Sequence, residues 1–274
     1  MNINPFKHSA DYLPVFYIMS LAIFQFIICF QLSLIWTFVC SLILLPLLAT
    51  STAYNHHQQH HPVFKWSGLN RVFEMVLTFQ TGVISYGWTL HHVLGHHVHY
   101  LNQHTEHEND SGIIDEARWT KPGGRQMSFV EYSIKTTVLS YWLMVKVGLK
   151  HKKILKRFIL YGFITLTLTI IGVLTLGMNF IVAYILVPVI VLFATIASTY
   201  KHHSGLRSKD KFHASYNIEG KFYNVLTCNL GYHTAHHLRP GLHWSQLPEY
   251  HNKIRHKIPP HLLKLYNWKN FLSL

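Results

Sequence analysis

Two stretches without a single charged residue constrain this chain more than anything else in it. No Asp, Glu, Lys or Arg occurs between Asp11 and Lys65, and none occurs between Arg157 and Lys201. About 20 apolar residues in a helix cross the roughly 30 Å hydrocarbon layer of a bilayer, so each stretch has room for two crossings. Charged residues make up 13% of the 274 positions, about half the share of a soluble domain, while 49% are hydrophobic. The chain is therefore expected to be an all-α integral membrane protein. Its four transmembrane helices should span about 13–30, 34–53, 158–176 and 180–198. Turns at Gln31–Ser33 and Gly177–Asn179 would make two hairpins opening to the same side. Pro46 lacks a backbone N–H and predicts a kink in the second helix. Lys7 and His8 lead into an apolar segment that runs directly into the next, without a small-residue cleavage site, so no signal peptide is expected.

Between the hairpins the charges return. Met75–Leu90 is uncharged but short, and Gly82 and Gly87 interrupt it, which predicts an interfacial or protein-buried helix rather than a fifth span. Phe129–Leu149 mixes Trp142, Leu143 and Met144 with Glu131, Lys135 and Lys146, the pattern of an in-plane amphipathic helix. The basic run His151, Lys152, Lys153, Lys156 and Arg157 precedes the third span, as the positive-inside rule predicts for a cytoplasmic entrance. Both termini are then cytoplasmic, and the formal charge of +13 faces anionic lipid and an acidic protein partner rather than nucleic acid. Cys29, Cys40 and Cys228 offer neither zinc spacing nor a disulfide framework.

The chemistry is carried by histidine, present 23 times. Three clusters stand just outside the apolar segments: His56-His57-Gln58-Gln59-His60-His61, His91-His92-Val93-Leu94-Gly95-His96-His97, and His233-Thr234-Ala235-His236-His237. Residues at i, i+3 and i+4 share one helix face, so neighbouring rings can turn toward one metal or a metal pair. Imidazole suits iron, zinc, copper and nickel alike. Eight or more such ligands exceed the need of one four-coordinate zinc, which implies two metals. His57, His61, His91, His99, His104, His107 and His202 are expected as hydrogen-bonding neighbours, with His91 against His92 the least settled choice. His8, His151, His213, His243, His251, His256 and His261 are expected in an interfacial or surface layer. The acidic run Glu106, Glu108, Asp110, Asp115, Glu116 reads first as a solvated face and second as a source of acceptors for ring N–H groups. Asn229 is read equally as a turn residue and as a contributor beside the metals.

His-x3-His, His-x3-His-His and His-x2-His-His, in this order and separated by helical hairpins, resemble the integral-membrane fatty acid desaturase superfamily, whose relatives include alkane hydroxylases. The resemblance covers nearly the whole chain. It matches at His56 and His60, followed by His61-Pro62-Val63-Phe64 and Leu69-Asn70; at His92, His96 and His97, preceded by Trp88; and at His233, His236 and His237, followed by Pro240 and Trp244. Tyr200-Lys201-His202-His203-Ser204-Gly205-Leu206 is similar to the region supplying one more ligand, matched here to His203, although Thr199 stands where the hydroxylases carry Asn.

The resemblance implies four transmembrane helices with a cytoplasmic helical cap carrying the histidine boxes, forming one domain over 1–274. It also implies a centre of two non-haem iron ions with O2 as co-substrate, and oxygen-dependent desaturation of a fatty acyl lipid or acyl thioester. A hydroxylase or alkene-forming decarboxylase acting on alkyl or acyl chains would use the same boxes. A metal transporter would place ionisable ligands inside its spans, and these four contain no His, Asp or Glu. With no iron–sulfur cysteines, haem loop or glycine-rich nucleotide fingerprint, electrons are expected from a separate ferredoxin-like or small haem protein docking on the basic face. The lack of appended domains or long loops points to a bacterial inner membrane.

Overall fold

Pro14 begins the architecture by standing in the first turn of a helix, where its missing N–H costs nothing because the first N–H groups of a helix have no partner inside it. The computed structural model describes residues 4–103, 115–121 and 124–265. In chain order the helices are α1 (Tyr12–Gln31), α2 (Leu34–Leu47), α3 (Ala49–His60), α4 (Ser67–Thr81), a π-helical segment Thr89–His97, α5 (Phe129–Gly148), α6 (Lys152–Leu176), α7 (Met178–Ile181), a π-helical turn Val182–Leu186, and α8 (Val187–His203). Strand β1 (Asn217–Ile218), α9 (Lys221–Leu226), α10 (His233–Leu238), α11 (Leu247–Ile254) and β2 (Leu263–Lys264) follow. Two compact units divide these residues: 1–88 with 151–192, and 89–150 with 193–274.

Among the described residues, three helices are long and apolar enough to cross a membrane: Ser9–Gln31, Lys152–Leu176 and Met178–His203. The expected second span is broken. α2 and α3 meet at Leu48 with a bend of 54°, so four crossings are reached only if this bent pair counts as one. Pro46 explains the break, since its ring removes a hydrogen bond one turn back. The 14 residues of α2 reach only about 21 Å at 1.5 Å per residue. α3 also changes character, burying Thr50, Ser51, Asn55, His56, His57 and Gln58, which a lipid-facing helix could not present.

In the first unit, α6 is apolar nearly all round and buries only Phe158 and Gly172, as a helix facing lipid does. Gly172 is required: a Cβ there would lie 2.2 Å from the Phe180 ring. Gly177, at φ +56° and ψ −132°, makes the reversal into α7. α1 buries Val15, Ile18, Leu21, Gln25, Ile28 and Cys29 along one stripe. Gln25 donates to the carbonyls of Ala183 (2.6 Å) and Phe79 (3.2 Å), joining three segments where apolar side chains alone could not specify register. α4 is no span: Gly82 ends it in the left-handed region, packed so closely that a Cβ would meet the Pro188 carbonyl at 2.7 Å. Gln58, Asn70 and Glu74 lock the loop after α3, with Asn70 accepting from Phe64 N–H (3.0 Å) and donating to its carbonyl (2.8 Å).

In the second unit, α5 packs on the π-helical segment Thr89–His97. Ala235, Leu247, Ile254, Ile258 and Leu262 form a small core behind α10. β1 and β2, two residues each, pair in parallel with Asn217 opposite Leu263. Two surface assignments need correction. His251 is fully buried, its Nε2 2.8 Å from Glu219 Oε1, and Arg255 donates to the same carboxylate at 2.7 and 2.9 Å. His243 is buried and caps the turn at Ser245.

Candidate metal centre

The second box is wound as a π-helix, and that winding decides which rings meet. In an α-helix, at 3.6 residues per turn, His97 would point about 140° away from His92. A π turn holds one residue more, so positions i+4 and i+5 flank position i. His92 accordingly meets both: its Nε2 is 2.9 Å from that of His97, and its ring centroid is 5.3 Å from that of His96. Gly95 lets this segment approach α5, since a Cβ there would stand 3.1 Å from Val147 Cγ2. His91 is buried beside the group without joining it, and burial pushes its pKa down to about 4 against the opposing charge of Asp115.

α10 carries the third box. Its start is pinned to β1 by Thr234, whose N–H donates to Asn217 Oδ1 (3.0 Å) and whose hydroxyl meets Asn217 Nδ2 and Ser215 Oγ at 2.8 Å each. Gly231 permits the approach, because a Cβ would lie 2.3 Å from the Ile218 carbonyl. Cys228 and Asn229 both adopt positive φ, and Asn229 donates to the Trp244 carbonyl (3.2 Å), so Asn229 serves the turn.

Two groups of imidazoles result within this unit. In one, His97 Nε2 stands 2.9 Å from both His92 and His236. In the other, the ligand nitrogens of His96, His203 and His237 lie within 4.8 Å of one another. His233 joins them, its Nε2 2.8 Å from His203 and 3.1 Å from His237. The rings of His97 and His237 stack at 4.3 Å, which puts the groups side by side. In the first unit, His56 and His60 stand one turn apart on α3 with ring centroids 5.1 Å apart. His202 instead reaches the Tyr223 hydroxyl (3.0 Å) and stacks on His233.

The outer nitrogens reveal what the inner ones require. Asp115 Oδ2 accepts from His96 Nδ1 at 2.8 Å, and the Ala214 carbonyl accepts from His203 Nδ1 at 2.9 Å. In its neutral form each ring therefore carries its proton outside and a bare lone pair at Nε2. Those two lone pairs face each other at 3.3 Å. Neither can donate to the other, so the arrangement calls for a cation between them. A shared proton is disfavoured nearby: burial, with His233, His203, His96 and His236 around it, holds the His237 pKa well below 6.5. The donor set thus fits a metal ion bound by neutral imidazoles, with a carboxylate orienting one of them.

Asp115 is fully buried, accepts from Gln103 Nε2 at 2.7 Å and from the Ala117 N–H at 2.8 Å, and is no part of a solvated face. Glu116 pairs with Lys146 at 3.0 Å, while Glu106, Glu108, Asp110, His104 and His107 lie outside the described residues. A cavity of about 270 Å³ borders the centre, lined by His97, Tyr100, Asn102, Lys211 and His237 among others.

No curated protein matches the chain. The family model described as fatty acid desaturase matches residues 12–268, almost the full length, and the chain belongs to the fatty acid desaturase family.

Proposed function

We propose that this protein is an oxygen-dependent fatty acyl desaturase whose centre comprises two non-haem irons held by His56, His60, His92, His96, His97, His203, His233, His236 and His237. The observation that carries the reading is the pair of lone-pair nitrogens of His96 and His203 facing each other at 3.3 Å, each fixed by an acceptor on its other nitrogen. When bound, the irons would supply reductive activation of O2 and removal of hydrogen from an unactivated acyl methylene. The substrate is an acyl lipid or acyl thioester. Electrons come from a separate ferredoxin-like or small haem protein that meets the basic cytoplasmic face by charge complementarity.

The chain's own residues have a narrower task. Asp115 holds the tautomer and tilt of His96, and Gln103 and the Ala117 N–H hold Asp115. The Ala214 carbonyl does the same for His203, with Trp119 stacked on that ring at 5.3 Å. Burial of His96, His203, His233 and His237 excludes water from the inner nitrogens, and it holds the His203 and His237 pKa values well below 6.5. The experiment is acyl-chain analysis of membranes containing the protein with a reducing system and O2, alongside metal analysis of the purified protein. Desaturated chains and about two irons per chain are expected, with the product and about one of the irons lost in His96→Ala. Hydroxylated or shortened products would replace the reading with a hydroxylase or decarboxylase, and zinc at full occupancy would overturn it.

A further inference from the structure

We propose that Arg71, Tyr86 and Arg157 form a binding site for the phosphate of a membrane phospholipid. The three residues come from α4, from the loop that follows it and from α6, all in the first unit. Both guanidinium groups lie over one ring: the Arg71 carbon is 4.6 Å and the Arg157 carbon 5.7 Å from the Tyr86 centroid. Tyr161, one turn after Arg157 on α6, packs on the same ring at 5.8 Å. Tyr86 holds φ at +68°, a left-handed conformation that is costly for a bulky residue and persists only where the surrounding contacts enforce it. A guanidinium stacked on an aromatic face keeps its N–H edge free for planar, bidentate recognition of an oxyanion.

Hydrogen bonding leaves this cluster short of acceptors. Glu74 accepts from Arg71 Nη2 at 2.6 Å and from Gln58 Nε2 at 3.2 Å, whereas Arg71 Nη1 is buried with no partner among the described residues. Arg157 is exposed, pairs with no carboxylate among the described residues, and donates to the Tyr86 hydroxyl at 3.5 Å. A hydroxyl oxygen that accepts from Arg157 keeps its own proton for an anion. Two guanidinium groups against the one carboxylate of Glu74 leave a single positive charge, the complement of a phosphodiester. The surroundings select a lipid as the carrier of that phosphate. Arg157 lies about 8 Å along α6 from Lys152, at 1.5 Å per residue, on a helix that otherwise faces lipid. Ile159 and Leu160 beside Arg157, and Val72 beside Arg71, are all more than half exposed. Acyl chains would cover this apolar rim, and a soluble phosphate compound would leave it bare. Lys153 stands one turn before Arg157 on the same helix face and repels a headgroup ammonium, so the class is a phospholipid without one, such as phosphatidylglycerol. This inference uses the membrane assignment and neither the metal nor the reaction.

The test titrates detergent-solubilised full-length protein with phosphatidylglycerol or phosphatidylcholine in mixed micelles and reads the rise in Tm, because a ligand bound only by the folded state raises it. Phosphatidylglycerol should stabilise the protein saturably, at a several-fold lower mole fraction than phosphatidylcholine. Arg157→Gln changes an exposed side chain, so the lipid-free Tm should hold while the half-saturating mole fraction of phosphatidylglycerol rises about tenfold. Arg157→Lys should recover only part of that loss, since an ammonium presents no planar fork. Lys209→Gln, an equal loss of exposed charge in the other unit, should leave the mole fraction unchanged. Equal shifts in Arg157→Gln and Lys209→Gln overturn the proposal in favour of diffuse attraction. No shift in Arg157→Gln overturns it too, and leaves the arginines as packing on Tyr86. Saturable stabilisation by glycerol 3-phosphate at the same concentrations overturns the lipid assignment in favour of a soluble phosphate compound.

Discussion

The two imidazole groups of the second unit use one residue type to build a closed position and an accessible one. His96, His203, His233 and His237 are all buried, and two of them are braced from behind by Asp115 and the Ala214 carbonyl. The other group turns on His97, which is only half-buried, stands 2.9 Å from both His92 and His236, and borders a cavity that His237 of the first group also lines. A buried, braced set favours retention of a metal, while a set with a half-exposed member leaves room for coordination to change. The asymmetry follows from burial and outer hydrogen bonds, since the ligands themselves are chemically alike.

The largest expected effect comes from His203→Ala, which removes the ring that His96, His233 and His237 all approach, at 3.3, 2.8 and 3.1 Å. Product should fall by more than the roughly 10–100-fold typical of losing an outer hydrogen-bond partner. About one metal equivalent should go with it; loss of both would mean that the groups are not separable. Asp115→Asn keeps the shape and removes the charge behind His96. Roughly 10–100-fold weaker metal binding is expected, read by chelator competition. An equal effect on both equivalents would break the comparison.

Acidification sharpens it further. His237 is held well below 6.5, by burial first and by its neighbours His233, His203, His96 and His236 next. A depressed pKa keeps the metal-binding neutral form as pH falls through 6.5, so metal in the closed group should persist below that value. Metal content of protein dialysed across this range checks it, and complete release near 6.5 would contradict the closed site. The smallest effect belongs to Tyr100→Phe. The ring lies 4.2 Å from His237, while its hydroxyl is buried with no hydrogen-bond partner among the described residues. Removing a buried, unsatisfied hydroxyl should leave metal content unchanged and alter stability by no more than about 1–2 kcal/mol, in the favourable direction. A lowered Tm would show that the hydroxyl has a role.

Much of this is legible in the amino-acid sequence. The absence of charge located the apolar helices, because a charge in hydrocarbon is costly wherever the chain goes. The spacing of the boxes, with the added choice of His203, named the imidazoles that the second unit gathers. What escaped were features made by distant contacts or by winding. The break at Leu48 reads in sequence as a tolerated proline, yet it divides an apolar helix from one that buries Asn55 and Gln58. Asp115 looks solvated from its acidic neighbours, and only Gln103, Ala117 and His96 folding around it make it a buried acceptor.

Hydropathy and histidine spacing are local properties, so the sequence alone indicated that the chain enters a membrane and carries histidine clusters able to hold a metal. Tertiary structure alone decided that the second box winds as a π-helix, that Asp115 backs His96, that β1 and Thr234 pin α10, and which imidazoles share a group. Those outcomes depend on which surfaces pack together, and packing selects among windings and hydrogen-bond partners that local sequence leaves equally open.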